Sequence, residues 1–391
     1  MNGSSRRRGA ALVAGLVIAI VAAGCSSGSS SESGGHSDGG AVAGSKPAYA
    51  ERGPYAVGVT TLSLPDRKVE VYYPAKAGST DGRPDATYVQ TDPIPASVLA
   101  GLPQVPAGVD LTMKIPAVRD VSVATDGPFP LVIFSHGAGG WRGVYGSPLS
   151  GIASWGFVVA STDYAEYGLL AQFSGGVSGG AARTAAVHAA ATGTIDLMTN
   201  ENDAAQSRFH DAIDATKVGA IGHSAGGGTM FGLLDDPRVG AIVGWAPVGP
   251  KAPVTSHTPT MVIGGQKDIA ITPASATRTY DALLPPKRLV EIGDMGHNAF
   301  SDACLAIRSG TDLIGIAKQL GIGIPDALLN LGRNGCEKGA LDTKEGWRII
   351  QHFTVAELRV ALGINRTPIG LGLQSASAFP GVAITYRQQL R

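Results

Sequence analysis

A serine inside a short glycine-rich string, directly after an apolar run, constrains the fold of this chain more than any other feature. The string is Gly-His-Ser-Ala-Gly at 222–226, and Val-Gly-Ala-Ile precedes it at 218–221. Between a strand and a helix, a G-x-S-x-G string places its serine on a turn so sharp that the neighbouring positions have no room for side chains. Gly222 and Gly226 leave that room free. Ser224 is therefore predicted to be a nucleophile at the end of a strand.

The composition predicts one large folded domain and excludes two classes of partner. The chain has 391 residues, of which 44% are hydrophobic and 16% charged. Its 31 basic and 31 acidic residues give a net charge of +0, which offers no electrostatic footprint for nucleic acid. The sequence has neither a C-x-x-C nor an H-E-x-x-H string, so we expect no bound metal.

The N-terminus is predicted to be an export signal of the lipoprotein type, residues 1–24. Arg6, Arg7 and Arg8 precede an apolar run at 10–23 that is too short to span a membrane comfortably. The run ends in Val-Ala-Ala-Gly-Cys at 21–25, which resembles a bacterial lipobox. Lipidation of Cys25 would anchor the protein to a membrane. Ala22 stands where leucine is more usual, and plain signal-peptide cleavage is the alternative.

Residues 25–52 are predicted to be a tether, and residues 53–391 the folded domain. Serine and glycine dominate 26–48, which is typical of a flexible linker. Strands are then predicted at 57–64, 69–73, 131–134, 157–160, 217–221, 241–243, 260–263 and 288–292. Helices are predicted at 95–100, 148–155 and 194–215, and a capping-box pattern at 354–357 predicts a helix from there to Leu362. This alternation indicates an α/β domain with a mostly parallel sheet flanked by helices.

Two residues downstream of the serine can complete a catalytic triad. Asp268 follows the strand at 260–263, and His297 lies on the loop after the strand at 288–292. Parallel sheets place their chemistry at the carboxyl ends of their strands. Asp268 is therefore predicted to be the acid and His297 the base. The competing acids are Asp163, Asp294 and Asp302.

An oxyanion needs two backbone N–H donors, and the sequence indicates a source for each. One donor is Ala225, the residue after the nucleophile. The other belongs to the glycine-rich loop at 135–142, directly after the strand at 131–134. We assign the second donor to Ala138, with Gly137 and Gly139 as alternatives. His136 and His223 touch these motifs and are predicted to shape their turns.

These motifs resemble those of known α/β-hydrolases. Phe-Ser-His-Gly-Ala-Gly-Gly-Trp-Arg at 134–142 and Gly-His-Ser-Ala-Gly-Gly at 222–227 are similar to the platelet-activating-factor acetylhydrolase and dienelactone-hydrolase-like branch. The segments at 259–268 and 288–297 are also similar to bacterial cutinases and polyester hydrolases. The resemblance spans residues 53–300 and implies the α/β-hydrolase fold and ester hydrolysis without a cofactor. Dienelactone hydrolases carry a cysteine where this chain has Ser224, so lactone opening is not implied.

The stretch 298–350 departs from the compact cutinase pattern. It contains Cys304 and Cys336, which we expect to form a disulfide in an exported protein, with two free thiols as the alternative. The stretch is predicted either to cap the acyl pocket or to pack as helices without contacting substrate. Trp141 and Trp245, near two strand ends, are predicted either to line the cleft or to pack in the core.

The sequence thus favours an exported serine hydrolase that cleaves small-molecule or lipid esters through an acyl-enzyme. An acyltransferase with the same triad and a non-catalytic, ligand-binding envelope lipoprotein are the alternative functions. Acyl length and oligomeric state are left open.

Overall fold

The structure is a computed structural model that describes residues 47–101, 103–169, 171, 180–321 and 326–391. The predicted signal at residues 1–24, Cys25 and the predicted tether up to residue 46 lie outside the described residues. Among the helices that are described, none is long and apolar enough to cross a membrane.

One twisted sheet organises the described domain. Its order is β12-β11-β10-β9-β8-β6-β7-β2-β1-β5, and a separate hairpin pairs β3 with β4. The strands are β1 (Val57–Leu64), β2 (Arg67–Pro74), β3 (Ala86–Val89), β4 (Thr112–Ile115), β5 (Val118–Arg119), β6 (Phe129–Ser135), β7 (Val158–Thr162), β8 (Ile213–His223), β9 (Val239–Trp245), β10 (Thr260–Gly265), β11 (Lys287–Ile292) and β12 (Ile384–Gln389).

The central strands are parallel, because each neighbouring pair from β7 through β6, β8, β9 and β10 to β11 runs in the same direction. The antiparallel strands β2 and β12 flank this parallel core on either side. Parallel strands are covered on both faces and are therefore apolar throughout. In β6, Val132 and Phe134 are buried on one face of the sheet, while Leu131 and Ile133 are buried on the other.

Helices cover both faces of the sheet. The helices are α1 (Ala96–Leu99), α2 (Gly146–Ala153), α3 (Ala181–Asp203), α4 (Ala225–Phe231), α5 (Pro273–Ala282), α6 (Ala303–Ser309), α7 (Leu313–Gln319), α8 (Asp326–Arg333) and α9 (Thr343–Ala361), with 3-10 turns at His297–Phe300 and Leu373–Ala378. The helices α2 and α9 pack on one face of the sheet through Leu149 and Phe353. The helices α3 and α5 pack on the other face through Ile195 and Tyr280. This is the fold class expected from the sequence.

The helix predicted at 194–215 was wrong at both ends. The helix α3 begins at Ala181, because the alanine-rich stretch 181–191 has high helix propensity despite its weak apolar periodicity. It ends at Asp203, and β8 already begins at Ile213. Between them the chain turns, and the N–H of Ile213 donates to the side-chain oxygen of Asn202 at 2.8 Å.

The capping-box prediction at 354–357 was also wrong. Thr354 and Glu357 lie fully buried in the middle of α9. The helix begins after Asp342, whose carboxylate accepts from the N–H groups of Lys344 and Glu345. The predicted end was close, since α9 stops at Ala361 and Gly363 follows with φ +67°.

Candidate active site

Ser224 occupies a strained turn between β8 and α4. Its φ of 53° and ψ of −118° are rare for a residue with a side chain and cost about 1–3 kcal/mol. A Cβ at Gly222 would lie 2.2 Å from the carbonyl oxygen of Gly226, and one at Gly226 would lie 2.2 Å from that of Ser135. The N–H of Ser224 donates to the carbonyl of Trp245 at 2.9 Å. Close packing and this hydrogen bond together hold the serine at the end of β8.

Asp268 and His297 form a hydrogen-bonded pair. Nδ1 of His297 lies 2.8 Å from Oδ2 of Asp268, whose side chain is fully buried. The other carboxylate oxygen, Oδ1, accepts from the N–H groups of Ala270 and Ile271, both at 2.8 Å. A carboxylate satisfied in this way holds the imidazole in the tautomer with the proton on Nδ1. Nε2 is then left as a base.

The topology brings this pair to the serine. Ser224 follows β8, Asp268 follows β10 and His297 follows β11, all at carboxyl ends of parallel strands. The ring of His223, the residue before the serine, lies 4.6 Å from the ring of His297, centroid to centroid. Within the described residues no hydrogen bond joins Oγ of Ser224 to the imidazole of His297. In ligand-free sites such bonds are often long and shorten when substrate binds.

His223 connects the turn that carries Ser224 to His297 and to the glycine-rich loop at 135–142. Its Nε2 donates to the carbonyl oxygen of His297 at 3.1 Å, so its Nδ1 accepts from the hydroxyl of Tyr145 at 2.8 Å. That hydroxyl in turn accepts from the N–H of Gly137 at 3.2 Å. Burial lowers the pKa of His223 well below its usual range, so the ring is neutral. His223 therefore bridges His297 and the glycine-rich loop through Tyr145, whereas the sequence predicted only that it shapes a turn, and Tyr145 carried no sequence signal.

The N–H groups of the loop at 135–142 differ in what they bind. The N–H of Ala138 has no hydrogen-bond acceptor among the described residues, and neither has the N–H of Ala225. Three neighbouring groups are already engaged: Gly137 with the Tyr145 hydroxyl at 3.2 Å, Gly139 with the Tyr167 carbonyl at 2.8 Å and Gly140 with the Gly137 carbonyl at 3.0 Å. A Cβ at Gly137 would lie 3.3 Å from Cβ of Ser224, so the loop packs directly against the turn that carries Ser224.

His136 fixes the shape of this loop. Nε2 of His136 accepts from the N–H of Tyr164 at 2.9 Å, which leaves Nδ1 to donate to the carbonyl of Gly137 at 2.9 Å. Burial lowers the pKa of His136, which favours the neutral ring that this arrangement needs.

The competing acids all lie elsewhere. Asp163 accepts from the backbone N–H and the guanidinium of Arg142, at 2.8 and 2.6 Å. Asp302 accepts from the N–H of Ser147 at 2.9 Å. Asp294 is exposed on a turn with φ 53°. Of the four candidates, Asp268 is the one that contacts the imidazole of His297.

Trp141 and Trp245 are packing residues. They are 5% and 0% exposed, and the indole N–H of Trp245 donates to Oγ1 of Thr354 in α9 at 3.0 Å.

The described part of segment 298–350 forms the short helices α6, α7 and α8 and the start of α9, next to the loop of His297. Cys304 in α6 and Cys336 after α8 form a disulfide with an S–S distance of 1.96 Å. A cavity of about 990 Å³ opens among α6, α7 and the stretch that follows α8. Arg308, Asp312 and Glu337 are among its lining residues, whereas Ser224 and His297 are not. Among the described residues no group of three or more His, Cys, Asp or Glu side chains is placed to hold a metal ion.

The fold and the order of these residues define a class: the described residues have the α/β-hydrolase fold. A parallel sheet carries a serine elbow after a central strand, an acid after β10 and a histidine after β11, in the chain order of that superfamily.

Comparison with known proteins points to two families within this class. Residues 41–168 match the family model of platelet-activating factor acetylhydrolase, isoform II, and residues 144–311 match the PET hydrolase-like model. Both are families of carboxylic ester hydrolases with a serine nucleophile. The first match contains the loop at 135–142, and the second contains Ser224, Asp268 and His297.

A curated relative supports the first match. Over 124 residues the chain is 32% identical to the platelet-activating factor acetylhydrolase of Cavia porcellus. That stretch covers 29% of this chain and 28% of the relative, so the chain matches little more than a quarter of the relative's length.

Proposed function

We propose that this protein is a serine hydrolase of carboxylic esters. Ser224 is the nucleophile, His297 the general base, Asp268 the acid that orients it, and the N–H groups of Ala138 and Ala225 the oxyanion hole. One observation carries the proposal most: the buried Asp268–His297 pair, joined at 2.8 Å, lies beside a serine held at a strained backbone conformation. The matches to two ester-hydrolase families support the same activity.

The proposed reaction proceeds through an acyl-enzyme. Nε2 of His297 takes the proton of the Ser224 hydroxyl as Oγ attacks the ester carbonyl. The negative charge that develops on the carbonyl oxygen is stabilised by the N–H groups of Ala138 and Ala225. The imidazolium, paired with Asp268, then protonates the leaving alcohol. Water then attacks the acyl-enzyme by the same route, which releases the carboxylic acid of the substrate and restores the Ser224 hydroxyl.

We also propose that the enzyme works outside the cytoplasm on small-molecule or lipid esters. The basic, apolar and small-residue pattern of residues 1–24 supports export, and Cys25 supports a lipid anchor on the outer face of the membrane. Incorporation of a radiolabelled fatty acid by the wild type but not by Cys25→Ala tests the anchor. Cleavage without incorporation contradicts it.

Substitution of the serine tests the proposed activity. A fluorophosphonate probe should label wild type at Ser224, and Ser224→Ala should lower kcat for p-nitrophenyl esters by more than about 10⁴-fold. Ser256→Ala is the matched control, since Ser256 hydrogen-bonds Thr258 in the loop before β10 and should leave turnover unchanged.

Three results would count against the proposal: wild-type turnover by Ser224→Ala, label on another residue, or no turnover across an ester panel graded by acyl length. With an alcohol added, a product consisting mainly of the new ester would identify the acyltransferase alternative.

A further inference from the structure

One amide side chain, that of Asn334, joins the loop of Asp268 to the loop of His297. Its Oδ1 accepts from the backbone N–H of His297 at 2.8 Å and from that of Ile269 at 3.1 Å. Its Nδ2 donates to the carbonyl of Lys267 at 2.9 Å. The backbone carbonyl of Asn334 also accepts from the N–H of Asn298 at 2.8 Å. Asn334 thus binds the residues on both sides of Asp268 together with His297 and its neighbour.

We propose that Asn334 is a positioning residue of the active site, which keeps Asp268 and His297 at hydrogen-bonding distance. This inference rests on the proposed function. Asn334 does not contact Ser224 or the reacting atoms, and it acts through the backbones of the two loops.

The chemistry of the contact suits asparagine. Two N–H groups need an acceptor and one carbonyl needs a donor, and a primary amide supplies both on one short side chain. Asn334 is 6% exposed and its bond to the N–H of His297 is buried, so water cannot easily replace that bond. Removing the amide would leave this N–H without a partner, which is costly for a buried group, and would also release the part-buried N–H of Ile269 and carbonyl of Lys267. The loops would then shift until water or another group satisfied them.

The backbone that follows Asn334 is itself fixed. Gly335 has φ +90° and packs on Gly296 so closely that a Cβ at Gly296 would lie 2.5 Å from its nitrogen. Cys336, the next residue, is tied to Cys304 by the disulfide. Asn334 therefore offers its amide from a rigid support, which is what a positioning residue requires.

This arrangement gives segment 298–350 a role in the site that does not depend on covering the acyl pocket. The sequence placed the segment as either a cap or a helix pair without substrate contact. Through Asn334 the segment instead sets the distance between acid and base.

Asn334→Ala tests the proposal. We expect kcat for a p-nitrophenyl ester to fall by about 10²-fold with little change in KM, since a displacement of about 1 Å costs that much. A second readout needs no substrate: the far-downfield NMR resonance of the His297 Nδ1 proton, which reports the hydrogen bond to Asp268. This resonance should broaden or disappear in Asn334→Ala. In Asn334→Asp, which keeps the acceptor oxygen, kcat should lie between those of Asn334→Ala and wild type.

Gln90→Ala is the matched control. Gln90 is a buried amide, 8% exposed, that donates to the carbonyl of Thr311 at 2.8 Å and so binds the same segment without contacting either loop. It should lower the melting temperature while kcat and the resonance stay as in wild type. An active wild type combined with unchanged kcat and resonance in Asn334→Ala would overturn the role of Asn334 alone. A wild type that neither hydrolyses esters nor is labelled at Ser224 would overturn the proposed function instead.

Discussion

At the scale of single residues, the site depends on hydrogen-bonding partners that are distant in the sequence. Tyr145 is 78 residues from His223, and its hydroxyl is the shared partner of that ring and of the Gly137 N–H. Because Gly137 is engaged in this way, the neighbouring N–H of Ala138, which has no acceptor among the described residues, is the one that we propose as the oxyanion donor of this loop. Through His223, the Tyr145 hydroxyl therefore links the shape of the loop at 135–142 to the backbone of His297.

Removing this hydroxyl should weaken both stability and activity. In Tyr145→Phe the buried Gly137 N–H and the Nδ1 of His223 lose their partner, and we expect a loss of about 1–3 kcal/mol in the free energy of unfolding. We also expect kcat to fall about tenfold, less than the ~10²–10³-fold cost of deleting an oxyanion donor, because the donor is displaced and not removed. Urea unfolding and ester kinetics measure the two effects.

Tyr73→Phe is the control for this variant. The Tyr73 hydroxyl is also buried and donates to the carbonyl of Val121 at 2.7 Å, away from the elbow. It should cost comparable stability and leave kcat unchanged. An equal loss of kcat in the two variants would show that Tyr145 affects activity only through stability.

The sequence predicted those site residues whose roles follow from local pattern and strand order. Ser224, Asp268, His297, Ala138 and Ala225 each follow a strand end or a glycine string, and the structure brings these positions to one edge of the sheet. Tyr145 and Asn334 have no such signal. Asn334 is 37 residues from His297 and 67 from Lys267, so its position depends on how segment 298–350 packs.

At the scale of elements, buried strands were easier to predict than helices. A strand covered on both faces needs a continuous apolar run, and such runs are visible at 131–134 and 260–263. In α9, by contrast, Thr354 and Glu357 match the capping-box pattern of a helix start, although their side chains contact other elements of the fold. Thr354 accepts from the indole of Trp245, and Glu357 pairs with Arg288 at 2.6 Å. The two residue types occur at capping-box spacing, but their side chains bind residues of β9 and β11 and not the backbone of their own helix.

A buried carboxylate between two helices should make stability depend on pH. Asp302 precedes α6, and its Oδ2 accepts from Ser147 in the first turn of α2 at 2.9 Å. Its Oδ1 is buried without a partner among the described residues. Burial raises the pKa of Asp302 to about 7, against the opposing effect of the hydrogen bond from Ser147.

The sign of the effect follows from proton binding. Between about pH 4 and pH 7 the folded protein holds a proton on Asp302 that the unfolded chain has released. Stability therefore falls as pH rises through this window, by at most about 1.4 kcal/mol per pH unit. An asparagine at position 302 cannot ionise, and its side-chain oxygen can still accept from the N–H of Ser147. We thus expect Asp302→Asn to gain stability relative to wild type from pH 4 to 7, as measured by urea unfolding at each pH.

Asp281→Asn is the control, since it removes an exposed carboxylate paired with Arg387 at 3.4 Å. It should leave the pH dependence of the wild type intact. Parallel stability curves for Asp302→Asn and wild type would contradict the prediction.

At the scale of the whole molecule, the C-terminal third of the chain completes the domain. The strand β12 pairs with β11 at one edge of the sheet, and α9 covers one face of it. The sequence indicated neither β12 nor the β3–β4 hairpin, because β3 and β4 have only 4 residues each and most residues of β12 are exposed. The edge of the sheet that carries Ser224, Asp268 and His297 could be predicted from motif and strand order, whereas the packing of residues beyond 298 against this edge could not.

The disulfide between Cys304 and Cys336 should stabilise this C-terminal part and, through it, the site. It closes a loop with a sequence separation of 32, which the chain-entropy model values at roughly 3–4 kcal/mol. The double variant Cys304→Ala/Cys336→Ala should lose about that much stability without leaving a free thiol. Because Asn334 lies two residues before Cys336, kcat should fall as well.

Dithiothreitol should lower the urea midpoint of the wild type to that of the variant and should not change the midpoint of the variant. Equal wild-type midpoints with and without the reductant, once mass spectrometry shows that the bond is broken, would contradict this role for the disulfide. Such dependence on an oxidised bond is also what a protein working outside the cytoplasm tolerates, since disulfides persist there.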